Sequence, residues 1–151
     1  MRSSRASGRL YLVDTSAQSR LHHPEVAKIL KSLVADGAAA ACVTTDLEAG
    51  FSGRDYSEVV SVATTRRLRY RQLPINEEIA RRAREVQVNL AARGQHRSAG
   101  VVDLMTAAVA EYHGAVILHY DADFELIAAV TGQPHMWVCL LYTSPSPRDR
   151  S

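Results

Sequence analysis

The sequence predicts an α/β fold, with a mostly parallel central sheet and helices on both of its faces. Short apolar runs at residues 10–13, 38–43 and 116–118 alternate with stretches of helical periodicity at 24–36, 77–93 and 102–113. That alternation is the pattern of βα units, and the runs are strand-length and near-continuously apolar, as doubly covered strands are. At 151 residues, with 46% hydrophobic and 23% charged residues, the chain has the size and composition of one globular domain.

The first run, Leu10 to Val13, reads as a buried strand that ends at Asp14. In 24–36, Val26, Ile29, Leu30, Leu33 and Val34 recur at helical spacing, Pro24 suits a first turn and Gly37 a stop. Residues 38–43 form a second strand, 44–53 a short helix, 56–68 another helix and 69–73 a weak strand. The helix at 77–93 carries the stripe Ile79, Ala83, Val86, Leu90 and ends at Gly94. A polar loop at 95–100 leads to the Ala-rich helix 102–113, the strand 116–118, a helix at 124–130 and a last strand at 136–140. The basic stretch Arg66, Arg67, Arg69, Arg71, Arg81, Arg82, Arg84 is expected to be a solvated face. Residues 1–9 are expected to be a flexible extension, 10–140 the folded domain and 141–151 a disordered, non-native tail, since it is polar, Pro-containing and aperiodic.

Several function classes are excluded or disfavoured. No apolar run approaches the roughly 20 residues that span a bilayer, and no secretory h-region follows the basic start, so the expectation is a cytoplasmic protein without a membrane. Cys42 and Cys139 lie in apolar stretches and are expected to be buried thiols. The histidines show no zinc-ligand spacing, and no Gly-rich loop or Ser–His pair competes as a site. A receiver domain would need a lysine at a late strand end, but the only lysines are Lys28 and Lys31. A haloacid-dehalogenase phosphatase would need an acid where Ser16 stands.

What remains is a set of acids at strand ends and helix starts. Asp14 follows the first strand, Glu48 lies one turn into the next helix, Asp103 opens the Ala-rich helix, and Asp121 follows the strand 116–118, with Asp123 two residues on. Singly, Asp14, Asp103 and Asp121 could cap helices, and Thr45 with Glu48 matches a capping box. Together, a parallel sheet would gather them at one edge, where carboxylates repel unless a cation neutralises them. Hard oxygen ligands suit Mg²⁺ or Mn²⁺, the equipment of phosphodiester hydrolysis.

At these residues the sequence resembles the PIN domain, in particular the VapC-type toxins. The resemblance is carried by 12–16 (LVDTS), 45–54 (TDLEAGFSGR), 82–87 (RAREVQ), 94–97 (GQHR), 102–108 (VDLMTAA) and 118–124 (LHYDADF), in that order. It implies a three-layer α/β/α fold and a metal-dependent endoribonuclease. The implied catalytic acids are Asp14, Glu48, Asp103 and Asp121, with Asp14, Asp103 and Asp121 as metal ligands and Asp123 as the alternative fourth acid. Thr15, Ser16 and Arg97 match positions that line the site or meet substrate; His96 and Arg54 match further basic positions. The implied cofactor is Mg²⁺, with Mn²⁺ able to substitute. The implied partners are an RNA substrate, a VapB-like antitoxin and a second copy of the chain. The alternative is a catalytically inactive PIN-like module that binds RNA or an antitoxin.

Overall fold

The computed structural model describes residues 8–143. Its elements in chain order are β1 (Tyr11–Val13), α1 (Thr15–Gln18), α2 (Pro24–Ala35), β2 (Ala39–Ala41), α3 (Val43–Phe51), α4 (Tyr56–Arg69), β3 (Arg71–Gln72), α5 (Glu77–Ala91), α6 (Val101–His113), β4 (Val116–His119), α7 (Asp123–Thr131), β5 (His135–Trp137) and α8 (Val138–Thr143). The strands form one five-stranded sheet in the order β3-β2-β1-β4-β5, and every pairing is parallel. The α/β expectation is met, with helices on both faces.

Period-two alternation along the strands divides the core into two. Leu12, Ala40 and Ile117 point to the face covered by α5, α6 and α7, where Ile79, Leu90, Val109 and Phe124 are buried. Val13, Ala39, Ala41 and Leu118 point to the other face and pack with Ala17, Val26, Leu30 and Val138 from α1, α2 and α8. Gly114, at φ 70°, ends α6 in the left-handed conformation that a residue with a side chain resists, and the chain turns directly into β4.

The structure differs from the sequence expectations at three places. Residues 15–18, to which the sequence reading assigns no element, form the short helix α1, because the Asp14 carboxylate accepts a bond from the Ser16 N–H and caps it. The last strand is three residues long, and 138–143 turn into α8, which packs Val138 and Leu141 beside α2. Of the tail expected over 141–151, residues 141–143 are therefore helical; residues 144–151 lie outside the described part, as do residues 1–7 of the expected N-terminal extension. Finally, Arg66 is not on a solvated face. It is 4% exposed, and its guanidinium donates to Asp46 Oδ1 (2.7 Å), Gln18 Oε1 (3.2 Å) and Thr45 Oγ1 (3.3 Å) while lying over the Tyr70 ring. Among the residues of α4, Arg66 is the buried one, held inward by acceptors on α1 and α3.

Arg66 thereby ties α1, α3 and α4 together. Arg66→Ala is expected to cost about 2–3 kcal/mol in urea denaturation, since it leaves Asp46 without its guanidinium and Gln18 Oε1 with the Tyr70 hydroxyl alone. Arg67→Ala, on the exposed neighbour, should stay within about 0.5 kcal/mol of wild type. Equal effects of the two would mean that the buried clamp does not hold these helices.

Candidate active site

In a parallel sheet of this order the crevice opens where the connections leave in opposite directions, here between β1 and β4. Asp14 sits immediately beyond β1 and Asp121 two residues beyond β4, so the two flank that crevice. Glu48 reaches it from the second turn of α3 and Asp103 from the first turn of α6. Ligand oxygens of Asp14, Glu48 and Asp103 lie within 4.8 Å of one another, and so do those of Asp103, Asp121 and Asp123. The structure thus brings all five acids together in two groups that share Asp103, and both candidates for the fourth acid are present.

Hydroxyls and backbone amides hold these carboxylates. Ser16 donates to Asp14 Oδ2 from its amide (3.0 Å) and from Oγ (2.6 Å), and the same Oγ accepts the Tyr120 N–H (2.8 Å). One serine therefore links the end of β1 to the end of β4. Thr15 Oγ1 donates to Glu48 Oε1 at 2.8 Å. Asp123 Oδ2 accepts from Gly100 N, and Asp121 Oδ1 from Asp123 N. Behind them, Thr44 of α3 and Thr106 of α6 share a hydrogen bond of 2.7 Å, a direct tie between the helices that carry Glu48 and Asp103.

The capping explanations hold only in part. Asp14 does cap α1, with one oxygen. Asp103 caps nothing: α6 starts earlier than expected, at Val101, with Gly100 as its cap. Thr45 does not pair with Glu48, because α3 begins at Val43 and Thr45 Oγ1 instead accepts the Cys42 N–H (3.0 Å), which leaves Glu48 for Thr15.

The electrostatics are adverse. Asp14 is 3% exposed and Asp103 8%. Burial raises the Asp14 carboxyl above its usual range, and Asp121 adds to the effect. Burial, then Asp123, Asp14 and Asp121, push Asp103 up to about 8. Asp14 Oδ1 is buried and accepts no hydrogen bond. An orphaned buried carboxylate oxygen is costly, and this one lies among other acids. A divalent cation that prefers oxygen ligands fits the donor set: it would satisfy Oδ1 and offset the repulsion in one step.

Beside the acids, buried His119 has its imidazole held down to about 4, by burial and by neighbouring His135. Its Nδ1 accepts the Asp121 N–H, so its proton sits on Nε2 and is directed at His135 Nδ1 (2.9 Å). The ring is a neutral support for the Asp121 turn.

The acids open into a cleft of about 710 Å³ that is also lined by Thr15, Ser16, Ser61, Thr65, Arg66 and Arg69. Arg97 is exposed on the loop before α6 and does not line it; Arg54 is occupied by Glu58. Arg66 and the cleft-lining residues of α4 were missed in the sequence, where the run of arginines read as a solvated face and the partners of Arg66 lie on other elements. Cys42 is buried and Cys139 half-buried, and neither forms a disulfide.

Residues 11–130 match the PIN domain family. The chain is 44% identical over 128 residues to Ribonuclease VapC21 of Mycobacterium tuberculosis, covering 85% of this chain and 93% of that protein. It is 44% identical over 132 residues to Ribonuclease VapC51 of the same organism, covering 85% and 92%. Among solved structures, DNA-bound VapBC from Salmonella typhimurium superposes with a TM-score of 0.71 at 16% identity, covering 87% of this chain and 100% of that one.

The repulsion predicts a pH-dependent stability in chelator. With Asp103 titrating near 8 in the fold and near 3.8 unfolded, the folded state keeps a proton that the unfolded chain gives up. That contribution is complete below about pH 4 and is lost as pH rises through about 8. Asp103→Asn, with no proton to lose, should therefore melt at least about 2–4 °C above chelated wild type near pH 8, the shift that about 1 kcal/mol produces at this size. The gain should vanish below pH 4. An Asn variant no more stable than wild type near pH 8 would contradict the repulsive arrangement.

Proposed function

The chain belongs to the PIN-domain family as a VapC-type ribonuclease, and from that premise we propose that it is a Mg²⁺- or Mn²⁺-dependent endoribonuclease, the toxin of a VapBC-type pair. The observation that carries the metal-dependent reading is Asp14 Oδ1: buried, without a hydrogen bond, and close to Asp103 and Glu48. Asp14, Asp103 and Asp121 are the proposed ligands, and Glu48 completes the set. A divalent cation bound there lowers the pKa of a water and offsets charge on the departing oxygen.

The chain's own residues supply geometry. Ser16 occupies Asp14 Oδ2 and so leaves Oδ1 as the oxygen available for coordination. Thr15 fixes the Glu48 carboxylate from the neighbouring helix. The Asp123 N–H and the His119 ring fix the Asp121 turn. Asp14 and Asp103 are nearly buried at the cleft floor, where each charge acts more strongly than in bulk solvent. In the proposed reaction, water adds to phosphorus in line with the P–O3′ bond, that bond breaks, and the 3′-oxygen leaves as a hydroxyl. No protein nucleophile takes part, and the 2′-hydroxyl is a spectator.

The names of the relatives support RNA as substrate, and the solved toxin–antitoxin neighbours support a VapB-like partner. Phe51 and Tyr56 are 91% and 84% exposed at the α3–α4 turn, with Leu47 nearby. Apolar surface of this kind supports a further covering chain, the antitoxin or a second copy in a homodimer. Among the described residues, no helix is long and apolar enough to cross a membrane.

The test is to map cleavage ends on a structured RNA with Mg²⁺ and with chelator. The expected products carry 5′-phosphate and 3′-hydroxyl ends and form only with metal. Cyclic 2′,3′-phosphate ends, or cutting that persists in chelator, would refute this chemistry. Ser16→Ala should lower the cleavage rate about 10–100-fold, as loss of a ligand's hydrogen-bonding partner does, while Ser98→Ala on the exposed loop leaves it unchanged.

A further inference from the structure

One wall of the acid cleft is a face of α4. Ser61, Thr65 and Arg69 stand at i, i+4 and i+8 on that helix, one above the other on successive turns, and all three line the cleft that holds Asp14, Glu48, Asp103 and Asp121. Each is exposed. Among the described residues, none of the three side chains makes a hydrogen bond or an ion pair. Arg66, the other cation of the cleft, is committed to Asp46, Gln18 and Thr45. Arg69 is therefore the uncommitted positive charge beside a strongly negative floor. Four residues of α-helix rise about 6 Å, close to the separation of successive phosphates along an extended strand.

We propose that this face of α4 is the rail on which single-stranded RNA lies while one phosphate reaches the acids. Arg69 pairs with a phosphate away from the cut, and the Thr65 and Ser61 hydroxyls donate to non-bridging oxygens along the same strand. The proposal rests on the ribonuclease reading. A single strand is required because Asp14 and Asp103 are 3% and 8% exposed at the cleft floor, which a stiff duplex does not reach. Backbone-tracking contacts of this kind bind without choosing sequence. They act equally on bound substrate and transition state, so their loss appears in KM rather than in kcat.

The experiment is steady-state cleavage of a single-stranded RNA oligonucleotide with Mg²⁺ over a KCl series. The proteins are wild type, Arg69→Gln, Arg69→Lys, the double variant Ser61→Ala/Thr65→Ala, and Arg67→Gln as an exposed control outside the cleft. For Arg69→Gln the expected result is a KM raised about tenfold with kcat within about twofold. The slope of log(kcat/KM) against log[KCl] should also become shallower by about 0.7, the value of one phosphate contact on a single strand. Arg69→Lys should restore the slope, the hydroxyl double variant should raise KM without changing it, and Arg67→Gln should do neither. If wild type cuts the oligonucleotide but Arg69→Gln keeps its KM and slope, the strand does not follow α4 and the face belongs to a protein partner. If wild type cuts no RNA with Mg²⁺, the ribonuclease reading fails and takes this proposal with it.

Discussion

Carboxylates buried side by side are the constraint on which the rest of this structure depends. Asp14 and Asp103 are nearly inaccessible, and Asp121, Asp123 and Glu48 crowd the same crevice. A fold optimised only for stability would not gather these charges. The sheet order makes the crevice, because α-connections leave β1 and β4 toward different sides and open a gap at their carboxyl ends. Everything packed against the gap either tolerates the repulsion or orients it.

Orientation is done by neutral groups. Ser16, Thr15, Thr44 and Thr106 contribute hydroxyls and no charge. A buried lysine or arginine bound directly to Asp14 would cancel the repulsion within the protein and remove the call for a cation. The one buried guanidinium described, that of Arg66, stands aside: it pairs with Asp46 and braces α1, α3 and α4 without neutralising the acids. The site is thus stiff in position and incomplete in charge, which is the state in which a divalent ion binds with little rearrangement.

Much of this was legible in the sequence because it depends on chain order. Strand-length apolar runs ending in Asp14 and before Asp121, and Asp103 at the start of a helix, follow from periodicity alone, and parallel pairing then brings them together. The short helix α1 was not legible, since four residues have no periodicity; the Asp14 cap that makes it was read only as one possibility. Glu48 lies beside the other acids, while the capping box offered as its alternative does not form, because α3 starts at Val43 and Thr45 turns to Cys42 instead. Arg66 was assigned to solvent because a run of arginines suggests a wet face, whereas its burial depends on Asp46 and Gln18 arriving from other elements. Side chains whose partners are distant in sequence are the ones a single sequence reveals least.

The most direct measurement is calorimetric titration of Mn²⁺ into the metal-free protein at neutral pH, beside Asp14→Asn and Asp103→Asn, with melting curves to show that all three are folded. If the buried acids form an incomplete cation site, wild type binds Mn²⁺ with release of a proton from Asp103. Each variant then binds at least tenfold more weakly, and Asp103→Asn also releases fewer protons. Folded variants that bind Mn²⁺ as tightly as wild type, with the same proton release, would contradict the account at its centre.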